Sequence, residues 1–291
     1  MSRGEGGDPN IDTRRLHGKY ERTLVRVGEI RCKTLMGRSG IGSVDYSINP
    51  YLGCAHGCVY CYARFMRRMG HAGEEWGSFV DAKVNALERL RREAPRRRMG
   101  KVLLSSVTDP YQPLERKYEL TRGCLQLLLE RQFPVSILTK SDLVLRDLDL
   151  LKKFDRCEVG FTITALGDVA RSAFEPGASP VEARLQALRE LNEEGITTWT
   201  FLGPVLPYLT DEGLETLINE LARSVSRILV DRLNIKCGNM PSIRRALSAH
   251  YPDLQPLFEA ALKEGGGYYG MFRKKVTDMC RQRLIPCEIV F

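Results

Sequence analysis

Two hydrophobic periods alternate along this chain. Short apolar runs at Val102 to Val107, Val135 to Thr139, Glu158 to Thr164, Thr197 to Leu202 and Ile228 to Ile235 predict strands. Between them lie stretches with leucines at helical spacing. Leu114 to Arg131 carries Leu120, Leu127 and Leu128 on one face, and Asp142 to Lys153 and Asp211 to Arg223 also predict helices. A further helix follows Ser179, with Pro180 at its first position and Gly195 as its stop. Ser141 or Asp142, Ser179 and Asp211 suit N-caps. Upstream, Val44 to Ile48 alternates as a strand, Phe79 to Val84 is a short strand, and Asn85 to Glu93 is a helix that Asn85 can cap. Residues 1–12 predict a disordered start, and residues 13–43 an irregular lead-in with a weak strand near Val25. Strands that alternate with amphipathic helices imply parallel βαβ units, about six of them when Val44 to Ile48 is included.

Composition narrows the class. A chain of 291 residues with 43% hydrophobic residues has ample core for an α/β barrel. No apolar run approaches the roughly 18 residues of a membrane span, and the polar N-terminus shows no secretory h-region, so a cytoplasmic location is expected. Nine cysteines, three of them clustered, fit metal binding in a reducing compartment better than a disulfide framework. The net charge of +8 is unevenly spread. Residues 51–101 carry eleven Lys/Arg against five Asp/Glu, residues 102–231 fourteen against twenty, and residues 232–291 ten against five. A basic concentration suits a polyanion, although charge runs are most often plain solvated surface.

One stretch departs from both periods. Asn49 to Tyr62 reads NPYLGCAHGCVYCY and holds Cys54, Cys58 and Cys61 in a C-x3-C-x2-C spacing. Thiolates are soft ligands, and three on one short loop suit an iron–sulfur cluster or zinc. A four-iron cluster normally takes four cysteines, so three leave one iron open to an exchangeable ligand. Gly53 and Gly57 permit a tight fold around a metal. The alternatives are a zinc site completed by His56 or a distant cysteine, or three buried structural cysteines.

This spacing, with Tyr60 just before the last cysteine, resembles the radical S-adenosylmethionine (SAM) superfamily. The resemblance implies that Cys54, Cys58 and Cys61 hold a 4Fe–4S cluster whose open iron is chelated by SAM. One electron from an external donor of flavodoxin or ferredoxin type would cleave SAM to methionine and a 5′-deoxyadenosyl radical, which abstracts a substrate hydrogen. It also implies an α/β fold, a partial (β/α)6 TIM-type barrel over 44–236. Residues 1–43 would then be a lead-in and 237–291 an extension with a substrate or auxiliary-cluster role. Active groups of such barrels gather at the C-terminal strand ends.

The spore photoproduct lyase-like branch of that superfamily is similar over about Asp45 to Leu209. The carriers are the cysteine stretch, the TDPYQPLE segment from Thr108 to Glu115, and Ala183-Arg184-Leu185 with Glu194-Gly195-Ile196. The similarity implies SAM contacts at Tyr60, Tyr62, Thr108, Lys140 and Thr162, with Lys140 pairing with the SAM carboxylate. The lyase has a hydrogen-donating cysteine two residues before the position of Thr108. Here that residue is Ser106, and an alcohol is a poor hydrogen-atom donor, so the resemblance implies the opening chemistry but not the lyase reaction.

Hydrogen donors are therefore sought elsewhere, at Cys237, Cys280, Cys287 or Tyr111. The three cysteines also suit a second iron–sulfur cluster; the alternative is separate buried or surface thiols. In the tail, Gly265 to Lys275 combines glycines, Tyr268, Tyr269, Phe272 and three bases, which suits single-stranded nucleic acid or, equally, a docked tail with its aromatics in the core. The first functional expectation is radical SAM chemistry on a nucleic acid or nucleotide, as repair or modification. The others are radical SAM chemistry on a peptide or small metabolite, and a non-catalytic zinc-binding nucleic-acid module.

Overall fold

The computed structural model describes residues 10–11, 25–263 and 267–291. The expected disordered start, apart from residues 10–11, and the glycines at 265 and 266 lie outside the described residues. Six parallel strands follow one another in space in chain order: β1 (Tyr46–Ile48), β2 (Val102–Leu104), β3 (Val135–Thr139), β4 (Cys157–Thr162), β5 (Thr197–Val205) and β6 (Ile228–Arg232). A seventh, β7 (Cys287–Ile289), pairs parallel with β6, and Met36–Arg38 pairs antiparallel with β1 at the other edge. Sequential order with crossover helices winds the sheet one way, as in an α/β barrel. The two edges are different strands and do not pair in the described sheet, so the barrel is partial. Among the described residues no helix is long and apolar enough to cross a membrane.

Side-chain alternation divides each strand between two environments. Leu103, Leu138, Phe201 and Leu229 face the lumen. Their neighbours Leu104, Ile137, Val159, Leu202 and Val230 are fully buried, in one core with Leu125, Leu128, Leu188, Leu191 and Ile218 of the helices. Thus the continuous apolar runs of a strand buried on both faces are what allowed the strands to be found.

The helices deviate from the expected caps. Leu114 to Arg131 is not one helix: Glu115–Tyr118 and Leu120–Leu129 are separated by Glu119 in the left-handed region at φ 49°. The buried Glu115 carboxylate reaches forward and accepts from Thr121 N and Arg122 N, so it caps the second helix from outside. Asn85 does not cap; its side chain pins both the N–H and the carbonyl of Cys32. Of the two candidates after β3, Ser141 is the one that caps, at the turn Asp142–Asp147, as expected. Ser179 is bonded to Asp142 instead, leaving Pro180 at the N-cap of Val181–Glu193. Asp211 accepts from Tyr268 and Lys275, and the helix it was expected to start begins at Leu214.

A second small sheet backs the cysteine loop. Val25–Ile30 pairs parallel with Phe79–Lys83, which pairs antiparallel with Tyr51–Gly53. The C-terminal helix Tyr268–Gln282 buries Tyr268, Phe272, Val276 and Cys280, one residue per turn. The structure therefore decides between the two readings of the tail: its aromatics pack inward and do not form a stacking platform.

Candidate active site

The cysteine loop runs from the end of Tyr51–Gly53 across the C-terminal mouth of the barrel. Its conformation needs glycine twice, at Gly53 with φ 85° and Gly57 with φ 59°. Two further glycines let other segments press against it. A Cβ on Gly77 would stand 2.6 Å from Gly57 Cα, and one on Gly177 would stand 2.3 Å from the Ala55 carbonyl oxygen. Gly177 N donates to His56 O at 2.9 Å, Asn239 Nδ2 to Tyr60 O at 2.7 Å, and Arg64 to the carbonyls of Val59 and Cys61. The helices after β6 also support the loop, because Cys58 and Tyr60 pack with Phe174, Leu206, Leu247 and Phe258.

Cys54, Cys58 and Cys61 are free thiols that line one cavity of about 870 Å³. Burial pushes all three thiols up, Cys54 to about 12. Among the described residues no three His, Cys, Asp or Glu side chains stand close enough together to hold a metal ion, and the three motif cysteines are no exception. The donor set nonetheless fits the expected cluster: three soft ligands on one loop, all on one cavity wall, which a metal would deprotonate on binding.

The same cavity collects the other expected residues. Lys140, Thr162, Thr108, Tyr60 and Tyr62 all line it. Lys140 Nζ lies 5.8 Å from the centre of the Tyr60 ring, within cation–π reach. Burial disfavours its ammonium, but Cys58, Glu175 and Asp109 outweigh that and raise its pKa. The Thr108 hydroxyl is engaged locally, donating to Gly53 O at 2.6 Å and accepting from Gln112 Nε2 at 3.0 Å. The Tyr62 hydroxyl donates to Ser106 O while its ring stays half exposed.

Four residues hold this arrangement; of these the sequence assigns a role only to His56, as a possible zinc ligand. Asp109 accepts from Thr139 Oγ1 at 2.7 Å, Lys140 N at 2.8 Å and Tyr111 N at 2.9 Å, tying the end of β2 to that of β3. Burial opposes its charge, yet His56 first and then Thr139 and Lys140 lower it to about 2. His56 Nδ1 stands 3.3 Å from Asp109 Oδ2, at ion-pair distance but without hydrogen-bond alignment. Glu175 accepts from Tyr60 and from Thr164 Oγ1, and meets the fully buried Arg184 at 2.6 Å. Arg184 also donates to Thr162 O and Ser179 O, so one ion pair orients both Tyr60 and the end of β4. Arg184 lay in a motif and could have been found; Glu175 carried no signal.

The expected hydrogen donors fare differently. Tyr111 is fully buried, bonded to Asp147 at 3.1 Å and away from the cavity lining. Cys237 contacts the Cys61 carbonyl oxygen at 3.9 Å but does not line the cavity either. The second cluster is corrected on geometry. Cys280 lies beside Cys287, which pairs with Ile228 at the N-terminal start of β6, whereas Cys237 follows the C-terminal end of that strand. The sheet separates the three thiols.

A family model described as the Radical SAM superfamily matches residues 48–221. An uncharacterized protein of Methanocaldococcus jannaschii is 36% identical over 229 residues, which covers 79% of this chain and 85% of the relative. Spore photoproduct lyase complexed with dinucleoside spore photoproduct superposes with a TM-score of 0.62 at 17% identity, covering 90% of this chain and 81% of the other. Streptococcus suis SuiB bound to precursor peptide SuiA superposes with a TM-score of 0.56 at 16% identity, covering 84% and 48%. At such identities these two structures speak for the fold alone.

Proposed function

The chain belongs to the radical SAM superfamily and is a SAM-dependent radical enzyme, and we propose that its substrate is a nucleotide residue of a nucleic acid, repaired or modified with its base inside the barrel. One observation carries this reading. The cavity that the motif thiols share with Lys140 is walled by Tyr62, Trp199 and Phe201, and its cations Lys101, Lys140, Arg227 and Arg232 are matched by Asp109, Glu158, Asp231 and Glu288. An aromatic wall with balanced charge suits a neutral, flat group such as a base and gives phosphate no net attraction, so the phosphates stay outside.

Cys54, Cys58 and Cys61 would hold the 4Fe–4S cluster. Bound with SAM and given one electron by a flavodoxin- or ferredoxin-type protein, that cluster supplies reductive cleavage and hence hydrogen-atom abstraction. The chain's own residues bind and orient. Lys140 offers its ammonium to the SAM carboxylate, with Thr108, Thr162 and Tyr62 around it. The Glu175–Arg184 pair fixes the Tyr60 ring against Lys140. Leu103, Leu138, Phe201 and Leu229 form an apolar belt that keeps water from a reactive radical. Ser106 and Val107 line the mouth, and among the described residues the three motif cysteines are the only thiols on the cavity wall. This favours a reaction that ends without a protein thiol donor.

The test is 5′-deoxyadenosine release by anaerobically reconstituted protein with SAM and dithionite. Oligonucleotides should stimulate it several-fold and gain a mass change. Stimulation by peptide or metabolite pools, with none by DNA or RNA, would transfer the assignment to those substrates. Stoichiometric zinc in place of iron in the anaerobic protein would remove the enzyme reading altogether.

A further inference from the structure

Resting on the nucleic-acid reading above, we infer that a ridge of arginines at one edge of the barrel slot holds the backbone of that nucleic acid. Two separate segments build the ridge around Tyr46. Arg38 ends the edge strand Met36–Arg38 and sits opposite Tyr46 in its register. The Tyr46 hydroxyl donates to Arg98 O at 3.2 Å, and the Arg97 guanidinium lies 5.8 Å from the centre of the Tyr46 ring. Arg96 precedes them at the end of the turn Ala94–Arg96. Arg38, Arg96 and Arg98 are exposed, and none forms an ion pair with a described residue.

The acids nearby are fewer than the arginines. Asp45 accepts from Lys101 N at 2.7 Å. Glu93 accepts from Leu35 N and Met36 N, and Glu158 is paired with Lys101 at 2.6 Å. Arg31 and Arg92 share the single carboxylate of Glu88. Asp45 and Glu93 bond backbone amides and keep their charge, and Arg38, Arg96, Arg97 and Arg98 outnumber them by two, an excess that a polyanion can use.

Its position supplies the occupant. The hairpin between Arg38 and Tyr46 presents Ile41, Gly42, Ser43 and Val44 to the cavity, and Lys101 lines the cavity as well. Tyr46 and Lys101 stand at the N-terminal ends of β1 and β2, at the end of the cavity away from the cysteine loop, and a strand whose base enters from that end would carry its flanking phosphates past this edge. The neutral lumen and the cationic rim divide a nucleotide as its chemistry requires, base inside and phosphates outside. Ile41 is itself 45% exposed on the rim, an apolar contact for a neighbouring base.

The experiment uses the reconstituted full chain and a variant carrying Arg38→Gln, Arg96→Gln and Arg98→Gln. Arg97 is spared because it also bonds Met36 O. Binding of a single-stranded oligonucleotide is measured across several salt concentrations, with polyglutamate as competitor and circular dichroism as the check on folding. Each single-strand phosphate contact contributes about 0.7 to the slope of log K against log salt, so the folded variant should lose about 2 from that slope. A folded variant with the wild-type slope would overturn the ridge while leaving the nucleic-acid reading intact. Competition by polyglutamate as strong as by unlabelled oligonucleotide would also overturn it, in favour of an acidic protein partner. A wild type that binds no oligonucleotide at low salt would defeat the nucleic-acid reading itself, and the ridge with it.

Discussion

The ammonium of Lys140 is the most exacting feature at the scale of single residues, because burial opposes it and the carboxylates of Glu175 and Asp109 help to hold its charge. Lys140→Ala should weaken SAM binding about ten- to a hundred-fold, the value of one charge-assisted hydrogen bond of roughly 1.5–3 kcal/mol. Iron content should stay at the wild-type level. Calorimetry showing unchanged SAM affinity would refute the assignment. Glu158 on the lumen floor gives a pH prediction. Burial raises its pKa, but hydrogen bonds from Lys101, Arg227 and Ser136 reverse this and leave it depressed. A depressed carboxylate contributes its stability above the unfolded value of about 4.3 and loses it as pH falls through the lower folded value. Melting temperature should therefore drop below about pH 4, and Glu158→Gln should flatten part of that limb; equal acid limbs in both proteins would discount the floor network. At this scale the sequence was legible where chemistry is unusual for its place, as with three close thiols or a lysine at a strand end. It was silent on Glu175, which meets Tyr60 from 115 positions away. Only the fold brings such pairs together.

The cysteine loop shows what an element owes to its neighbours. Its own glycines could be anticipated from the motif, but Gly77 and Gly177 are needed because two distant segments touch the loop backbone. Gly177→Ala would put a methyl 2.3 Å from the Ala55 carbonyl oxygen and 2.5 Å from His56 Cα, contacts with backbone that no rotamer relieves. The variant should melt lower by the equivalent of about 1–3 kcal/mol and retain less iron after reconstitution. Full iron occupancy together with an unchanged melting temperature would show that the loop yields freely. Strands were read to within a few residues, since a strand buried on both faces is a plain apolar run. Helix starts were read less well, for a physical reason. Asn85, Ser179 and Asp211 each have cap chemistry, but tertiary partners at Cys32, Asp142 and Tyr268 claim their polar atoms. The break at Glu119 came from the reverse case, a cap supplied by Glu115 from outside the helix it starts.

For the whole molecule, the deciding quantity is where charge lies in space rather than along the chain. The surplus in residues 232–291 invited a nucleic-acid tail, yet that tail packs Tyr268 and Phe272 inward and commits Lys275 to Asp211 at 3.0 Å and Arg273 to the face of Phe291 at 5.2 Å. A buried ring cannot stack on a base, and a paired lysine has little charge left for a phosphate. The surplus in residues 51–101 ends instead at Arg96 to Lys101, beside the edge strand Met36–Arg38, and Lys101 lines the cavity. Changing Arg273, Lys274 and Lys275 together to Gln should therefore leave oligonucleotide affinity and its salt slope close to wild type, within about half the effect of one phosphate contact. Melting temperature should fall slightly, because the exposed Lys275–Asp211 pair is worth up to about 1 kcal/mol. Oligonucleotide titrations at two salt concentrations distinguish the alternatives. A slope that falls by two or more in the tail variant would return the phosphates to the C-terminal helix and leave the ridge at Tyr46 as ordinary solvated surface.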